Sequence, residues 1–346
     1  MPARPRVPCD NQAVTERART SGACATVTIG IPVLDEETTL RRCLDALAVQ
    51  SYPELLEILV VDGGSTDATR EIARAYPLVR LLDNPRRSRP AGLNVAIASA
   101  RGAVFVRVDA RVVVAPDYVE ACVAALERSS AAIVGGPMRL EATTPAERGV
   151  KAAMTSVLGS GPARFRREQA EAGFVDTVYL GAFTLDTIRA LGGYDEDFGG
   201  NEDAELNFRA QKAGGVYLDP AIRSSYAVRS GLKGLWSQYY RYGTNRTRTM
   251  LKHPGSVSPR QLAVPVLMVA LASPWRRQVA AGYLAAVVLR AGAEATRDPA
   301  AAPTLAAALP VMHAAWGAGF VRSVSRHLGE KSLRLIRSQR PCLPTT

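Results

Sequence analysis

From Thr26 onward, short apolar runs alternate with amphipathic segments. Val27-Thr28-Ile29-Gly30-Ile31 is an apolar run ending at Pro32, the pattern of a buried strand. Residues 37–49 then carry Leu40, Leu44 and Leu47 at helical spacing. The strand pattern returns over 57–61 and is closed by Asp62-Gly63-Gly64. A helix is predicted over 67–76, a third strand over 79–82 and a helix over 90–100. A fourth strand over 104–108 ends at Asp109. Strands alternating with helices of about ten residues predict an α/β fold with a parallel sheet. Ligands of such sheets bind beyond the carboxyl ends of the strands, where Asp35, Asp62 and Asp109 fall.

Beyond residue 135 the pattern is less regular. Loops with one or two helices are expected over 135–180, the end of a short helix over 188–193, and a helix over 202–214. No internal repeat is visible. From residue 261 the chain turns to Ala, Leu and Val, with uncharged runs over 261–275, 278–289 and 299–321. A spanning helix needs about 20 apolar residues, and only the third run is long enough. The first two suit a re-entrant or in-plane hairpin around Pro274-Trp275-Arg276-Arg277. The plainer alternative is a buried helical subdomain.

Composition changes this picture only through charge. The 346 residues, 47% hydrophobic and 22% charged, are those of a packed globular protein, which excludes disorder, collagen and coiled coil. The net charge is +11, but residues 1–228 carry −3 and residues 229–346 carry +14. Basic residues there flank the apolar runs, as expected of side chains facing anionic lipid headgroups. Nucleic acid is not an expected partner, because no helix-turn-helix, zinc or RNA-recognition signature appears and aromatic residues are only 6%. Cys9, Cys24, Cys43, Cys122 and Cys342 form no C-x-x-C pair, so neither a disulfide framework nor a zinc site is indicated. Residues 1–25 are polar, rich in Pro and Arg, and read as a disordered tail in a reducing, cytosolic setting.

Four clusters carry candidate chemistry. Asp62, before two glycines, can accept a hydrogen bond from a nucleobase N–H, or simply fix the turn ahead of a helix capped by Ser65 or Asp67. Asp109, in Arg107-Val-Asp-Ala-Arg111, can hold a divalent cation against a diphosphate, or take part in an edge ion pair with Arg107 and Arg111. Glu202, Asp203 and Glu205 begin a helix, where the dipole favours acids, and one of them can serve as a general base. Gln238 and Arg241 share a helix face, either as a diphosphate clamp or as packing among tyrosines. A Rossmann-type nucleotide enzyme is disfavoured, since no G-x-G-x-x-G opens the first turn.

Taken together, the motifs resemble family 2 glycosyltransferases of the GT-A fold, nearest the membrane-associated, ExoA-like succinoglycan glucosyltransferase subgroup. The likeness runs over residues 26–253, through Ile31-Pro-Val-Leu-Asp-Glu-Glu, Val61-Asp-Gly-Gly-Ser-Thr-Asp, Asp83-Asn-Pro, Gly92-Leu-Asn94 and Arg107-Val-Asp109. It continues through Gly135-Gly-Pro-Met, Val175-Asp176, Gly181-Ala-Phe, Glu202-Asp203-Ala-Glu-Leu, Asp219-Pro-Ala-Ile and Gln238-Tyr-Tyr-Arg-Tyr-Gly.

The resemblance implies a nucleotide-sugar transferase sheet, Rossmann-like and mostly parallel, followed by an apolar helical, membrane-associated region over 254–346. It places Glu36 near the nucleoside, Asp62 on the uracil ring, and Asp109 on the metal and donor diphosphate. Asp203 becomes the general base, with Gln238 and Arg241 on the diphosphate. Pro32, Asn94, Gly181 and Glu202 fall in motifs of the substrate-binding surface. Two positions depart from the family: Asp35 stands where Asn is usual, and Arg111 replaces a metal-ligating His or Asp. Arginine has no lone pair for a metal. Either Asp109 and the donor phosphates hold Mg or Mn, with help from His253, or Arg111 and Arg241 neutralise the diphosphate themselves.

The implied reaction is inverting transfer of a hexose from a UDP-sugar to a lipid-linked or polysaccharide acceptor. It would serve cell-envelope or exopolysaccharide synthesis at the cytoplasmic face of the membrane. The alternative is a catalytically degenerate relative that binds sugar nucleotide or a partner enzyme.

Overall fold

The structure is a computed structural model that describes residues 24–161, 164–166, 169–228 and 231–338. The tail expected over 1–25 lies outside the described residues as far as residue 23. The described residues form two compact units. Those of Met1–Ala142 and Pro162–Val228 make the first, and those of Thr143–Gly161 and Arg229–Thr346 the second. A division at residue 253 was expected. Instead helix Leu232–Lys252 packs along helix Ala302–Ser338 and belongs with the C-terminal helices.

The first unit contains strands β1 (Val27–Val33), β2 (Leu55–Asp62), β3 (Val79–Asp83), β4 (Val104–Arg107), β5 (Val112–Val114) and β6 (Ile133–Gly136). It continues with β7 (Met138–Glu141), β8 (Gly173–Phe174), β9 (Tyr179–Thr184), β10 (Val216–Leu218) and β11 (Ser224–Ala227). The main sheet runs β3-β2-β1-β4-β9-β6-β10-β8, and β5-β11-β7 form a smaller one. Pairing is parallel from β3 through β4 and again between β6 and β10, while β9 enters antiparallel between β4 and β6.

Alternation along the strands fills a layer on each face of the sheet. Ile58 and Val60 pack with helices Leu40–Ala48 and Tyr118–Ser129. Leu59 and Val61 pack with helices Arg89–Ser99, Leu185–Ala190 and Glu202–Ala210. Both faces are covered, so β1 and β2 read as nearly continuous apolar runs. Gly30 makes room for a neighbour: a Cβ there would stand 2.5 Å from the Phe105 ring.

Elements predicted up to residue 109 are present, with ends shifted by a few residues. The first helix begins at Leu40 because Thr39 and Leu40 both bond back to the Glu36 carbonyl, closing a turn ahead of it. The two helices of the 135–180 stretch are Pro145–Thr155, with a Thr144–Glu147 capping box, and Val157–Ser160. That stretch also contains β7, β8 and parts of β6 and β9, which the sequence did not suggest. These strands are two to six residues long and mix glycine with apolar side chains, so no readable alternation develops.

In the second unit, Leu305, Ala308, Leu309, Met312 and Ala315 form the buried stripe of helix Ala302–Ser338. Arg148 bonds Asp298 at 2.6 Å and ties helix Pro145–Thr155 to the start of this bundle. By length and composition, one helix among the described residues, Ala302–Gly329, is long and apolar enough to cross a membrane.

Candidate active site

Val33, Asp62 and Asp83 are register partners at the carboxyl ends of β1, β2 and β3. The Asp62 side chain is fully buried and accepts from the Ser65 backbone N–H at 3.0 Å, the Ser65 hydroxyl at 2.5 Å and Arg70 Nη1 at 2.6 Å. Arg70 also reaches Asp83 at 2.8 Å and so bridges two neighbouring strand ends. Burial works against the charged form of Asp62, but these hydrogen bonds outweigh it and hold the carboxyl below its ordinary range.

The loops after β1 and β2 are fastened to each other. Asp35 adopts φ 52°, a left-handed conformation that Asp and Asn tolerate better than most residues. Its Oδ1 accepts from the Thr66 N–H at 2.8 Å, and its own N–H donates to the Ser65 hydroxyl at 2.9 Å. The Glu37 N–H donates to Asp67 and the Ala68 N–H donates to Glu37, each at 3.0 Å. Glu36 accepts from the Thr39 hydroxyl at 2.8 Å and from Arg111 Nε at 3.0 Å. This pairing departs from the expected edge cluster: Arg111 goes to Glu36, and Arg107 takes Asp109.

A second group of charges gathers past the end of β4. Arg107, almost wholly buried, donates through Nε to Asp109 at 3.1 Å and through Nη2 to Glu202 at 3.0 Å. Arg89 lies 3.6 Å from the same Glu202 oxygen, and the Arg107 guanidinium sits 5.5 Å from the Tyr194 ring centroid. Burial would raise the Asp109 pKa, but Arg107 and Arg89 beside it prevail and keep the carboxyl below its ordinary range. Asp203 behaves in the opposite way. Burial and the adjacent Glu202 carboxylate push its pKa up, against an opposing pull from Arg107. A carboxylate with a raised pKa is a stronger base.

Other predicted residues shape this ground. Gly181 on β9 is the register partner of Arg107, with φ +153°, and a Cβ there would stand 2.9 Å from the Phe183 ring. The Asn94 amide is committed to the 194–196 loop: it donates to the Tyr194 carbonyl at 2.8 Å and to Glu196 at 2.9 Å, and accepts from the Tyr194 N–H at 2.8 Å. Pro32 on β1 stands against Gly92, where a Cβ would lie 3.3 Å from the proline ring.

Glu36, Asp62, Asp109, Arg111, Glu202 and Asp203 all belong to the first unit. Gln238 and Arg241 lie on helix Leu232–Lys252 of the second, where buried Gln238 donates to the Tyr242 hydroxyl at 2.8 Å. Among the described residues, no three His, Cys, Asp or Glu side chains converge as a metal site. Sequence reasoning missed Arg70, Arg89 and Tyr194. For Arg70 and Arg89 the available signal was a cation near the start of the helix that follows an acidic strand end, and Tyr194 carried none.

This architecture, with carboxylates at the strand ends and an acidic helix start beside them, is that of a GT-A sugar-nucleotide transferase. The mannosyltransferase PcManGT from Pyrobaculum calidifontis, solved with GDP-Man and Mn2+, superposes with a TM-score of 0.55 at 21% identity, covering 91% of this chain and 94% of its own. The S. aureus TarS 1–349 structure gives a TM-score of 0.51 at 13% identity, covering 88% of this chain and 92% of its own. These likenesses establish the fold. The model for Glycosyl transferase family 2 matches residues 28–180. The succinoglycan biosynthesis protein ExoA of Rhizobium meliloti (strain 1021) is 34% identical over 312 residues, which cover 86% of this chain and 94% of that protein. A dolichyl N-acetyl-alpha-D-glucosaminyl phosphate 3-beta-D-2,3-diacetamido-2,3-dideoxy-beta-D-glucuronosyltransferase of Methanococcus voltae is 27% identical over 63% of this chain and 71% of its own length. The chain belongs to glycosyl transferase family 2 and is a glycosyltransferase.

Proposed function

We propose that this enzyme transfers a hexose from a UDP-sugar, with inversion, to a lipid-linked or polysaccharide acceptor at the cytoplasmic face of the membrane. The resemblance to the succinoglycan biosynthesis protein supports an exopolysaccharide product. The observation that carries the reaction is the cluster past the end of β4, where Arg107 holds both Asp109 and Glu202 and Asp203 follows Glu202 at the start of its helix.

The acceptor hydroxyl gives its proton to Asp203 as its oxygen bonds the anomeric carbon. The bond from that carbon to the donor phosphate breaks on the opposite face, and its electron pair leaves with UDP. Asp62 accepts from the uracil N–H, with its carboxylate fixed by Ser65 and Arg70. Arg107 and Arg89 place positive charge beside Asp109.

Asp109 could supply one hard-oxygen ligand to a divalent cation, being partly exposed, with Arg107 donating to both of its oxygens in this structure. A cation carried on a diphosphate takes its remaining ligands from phosphate and water. When bound, it would neutralise charge on the departing diphosphate.

A donor screen with purified protein tests the proposal, using UDP-glucose, UDP-galactose, UDP-GlcNAc and GDP-mannose with and without EDTA. Turnover of a UDP-sugar with an inverted anomeric centre is expected. Preference for GDP-mannose or retention of configuration would overturn it, and UDP-sugar binding without turnover would establish the degenerate alternative.

A further inference from the structure

Helices Pro259–Leu271 and Arg276–Ala295 form a hairpin that presents apolar side chains where a water-facing helix carries polar ones. The first helix buries none of its residues, and the second buries only Val287. Leu262, Val266 and Val269 recur on one helical face and are 43, 63 and 73% exposed. Leu284, Val288 and Leu289 are 56, 66 and 74% exposed, and Trp275 at the connecting turn is 68% exposed. Arg260, Arg276, Arg277 and Arg290 stand at the ends of the uncharged runs. Glu294 is the single acid in the two helices, and Arg290 neutralises it at 2.9 Å.

The helix long and apolar enough to cross a membrane is built differently. Its stripe from Leu305 to Ala315 is packed inside the second unit. A Cβ on Gly243 would run into the Trp316 carbonyl, and one on Gly319 into the Tyr240 carbonyl. Contact that close between helices 232–252 and 302–338 gives the long helix one packed face inside the second unit, with 39% of its apolar window buried.

Length decides how the hairpin meets lipid. The 13 residues of its first helix rise only about 20 Å, short of a hydrocarbon core of about 30 Å. Inserted end-on, the hairpin would carry Arg276 and Arg277 into hydrocarbon. Lying flat, it buries Leu262, Val266, Val269, Leu284 and Val288 while every arginine stays at headgroup level.

We propose that this hairpin is an in-plane anchor in an anionic leaflet and that the 302–329 helix does not span the bilayer. The proposal deepens the membrane part of the functional reading and rests on it. The full-length protein is tested by cosedimentation with POPC/POPG vesicles, with pure POPC vesicles as control, and by alkaline carbonate extraction of cell membranes. The wild type should bind the anionic vesicles preferentially and be released by carbonate. V266E/V269E, at exposed positions, should lose at least about tenfold in partitioning. R276Q/R277Q should lose the preference for anionic vesicles. Wild-type binding by V266E/V269E, carbonate resistance, or absence of vesicle binding (pointing to a protein partner) would each overturn the proposal. UDP-sugar hydrolysis in free solution reads the catalytic unit separately, so its failure with vesicle binding intact would count against the functional reading alone.

Discussion

Arg107 Nη2 lies 3.0 Å from Glu202 Oε1 and joins the end of β4 to the start of helix Glu202–Ala210 across 95 positions of sequence. Both residues are almost wholly buried, and Arg107 also holds Asp109. One guanidinium on a central strand therefore orients both Glu202, next to the proposed base Asp203, and Asp109, the acid proposed to face the diphosphate. Charge in that arrangement is fixed before substrate arrives.

Asp203→Asn keeps the side-chain shape and removes the proton acceptor. Turnover should fall by at least about 100-fold, while UDP binding measured by calorimetry stays within about threefold of wild type. Near-normal turnover would remove Asp203 from the base assignment.

Glu202→Gln tests the electrostatics around Asp203, the proposed base. Glu202 raises the Asp203 pKa and Arg107 lowers it, so neutralising Glu202 shifts both influences toward ionised Asp203. In the wild type the acid limb of kcat/KM should lie above the usual carboxylate value of about 4. In the variant it should move to lower pH. An acid limb that stays put or rises would contradict this account.

Arg70→Met separates Asp62 from its cation and leaves two neighbouring strand-end carboxylates without their bridge. Stability at neutral pH should drop by about 2 kcal/mol in urea titrations. The folded Asp62 pKa is depressed, so its contribution is complete above the unfolded value and fades as pH falls through the folded one. The gap between wild type and variant should therefore be constant near neutrality and narrow below about pH 4.

Much of this site was legible because apolar strands stop abruptly at Asp62 and just before Asp109, which fixes where the carboxyl edge lies. The helix at Glu202 was legible from its acidic first turn. Partner choice was not. Arg107 and Arg111 are equally plausible mates for Asp109 on paper, and strand geometry alone sends one to Asp109 and the other to Glu36. The antiparallel β9 and the β5-β11-β7 sheet escaped notice because their segments are short and their pairings join residues far apart in sequence. The place of helix Leu232–Lys252 depended on Gly243 and Gly319, whose packing partners cannot be read locally.

Gly243→Ala inserts a methyl group against the Trp316 carbonyl at that crossing. A loss of about 1–3 kcal/mol is expected, since backbone atoms yield less readily than side chains. Limited proteolysis should show earlier cutting within 232–338, and an unchanged pattern would mean that the two helices do not depend on this contact.

The raised pKa of Asp203 also bears on how this chain can drift. A folded state that holds the Asp203 proton more tightly than the unfolded chain loses stability as pH rises past the unfolded value. Once that proton is lost, the ionised acid works against the fold that positions it. Asparagine at 203 would relieve that strain and, with Asp203 as the proposed base, remove turnover in the same step, so robustness and the proposed activity pull this one codon in opposite directions.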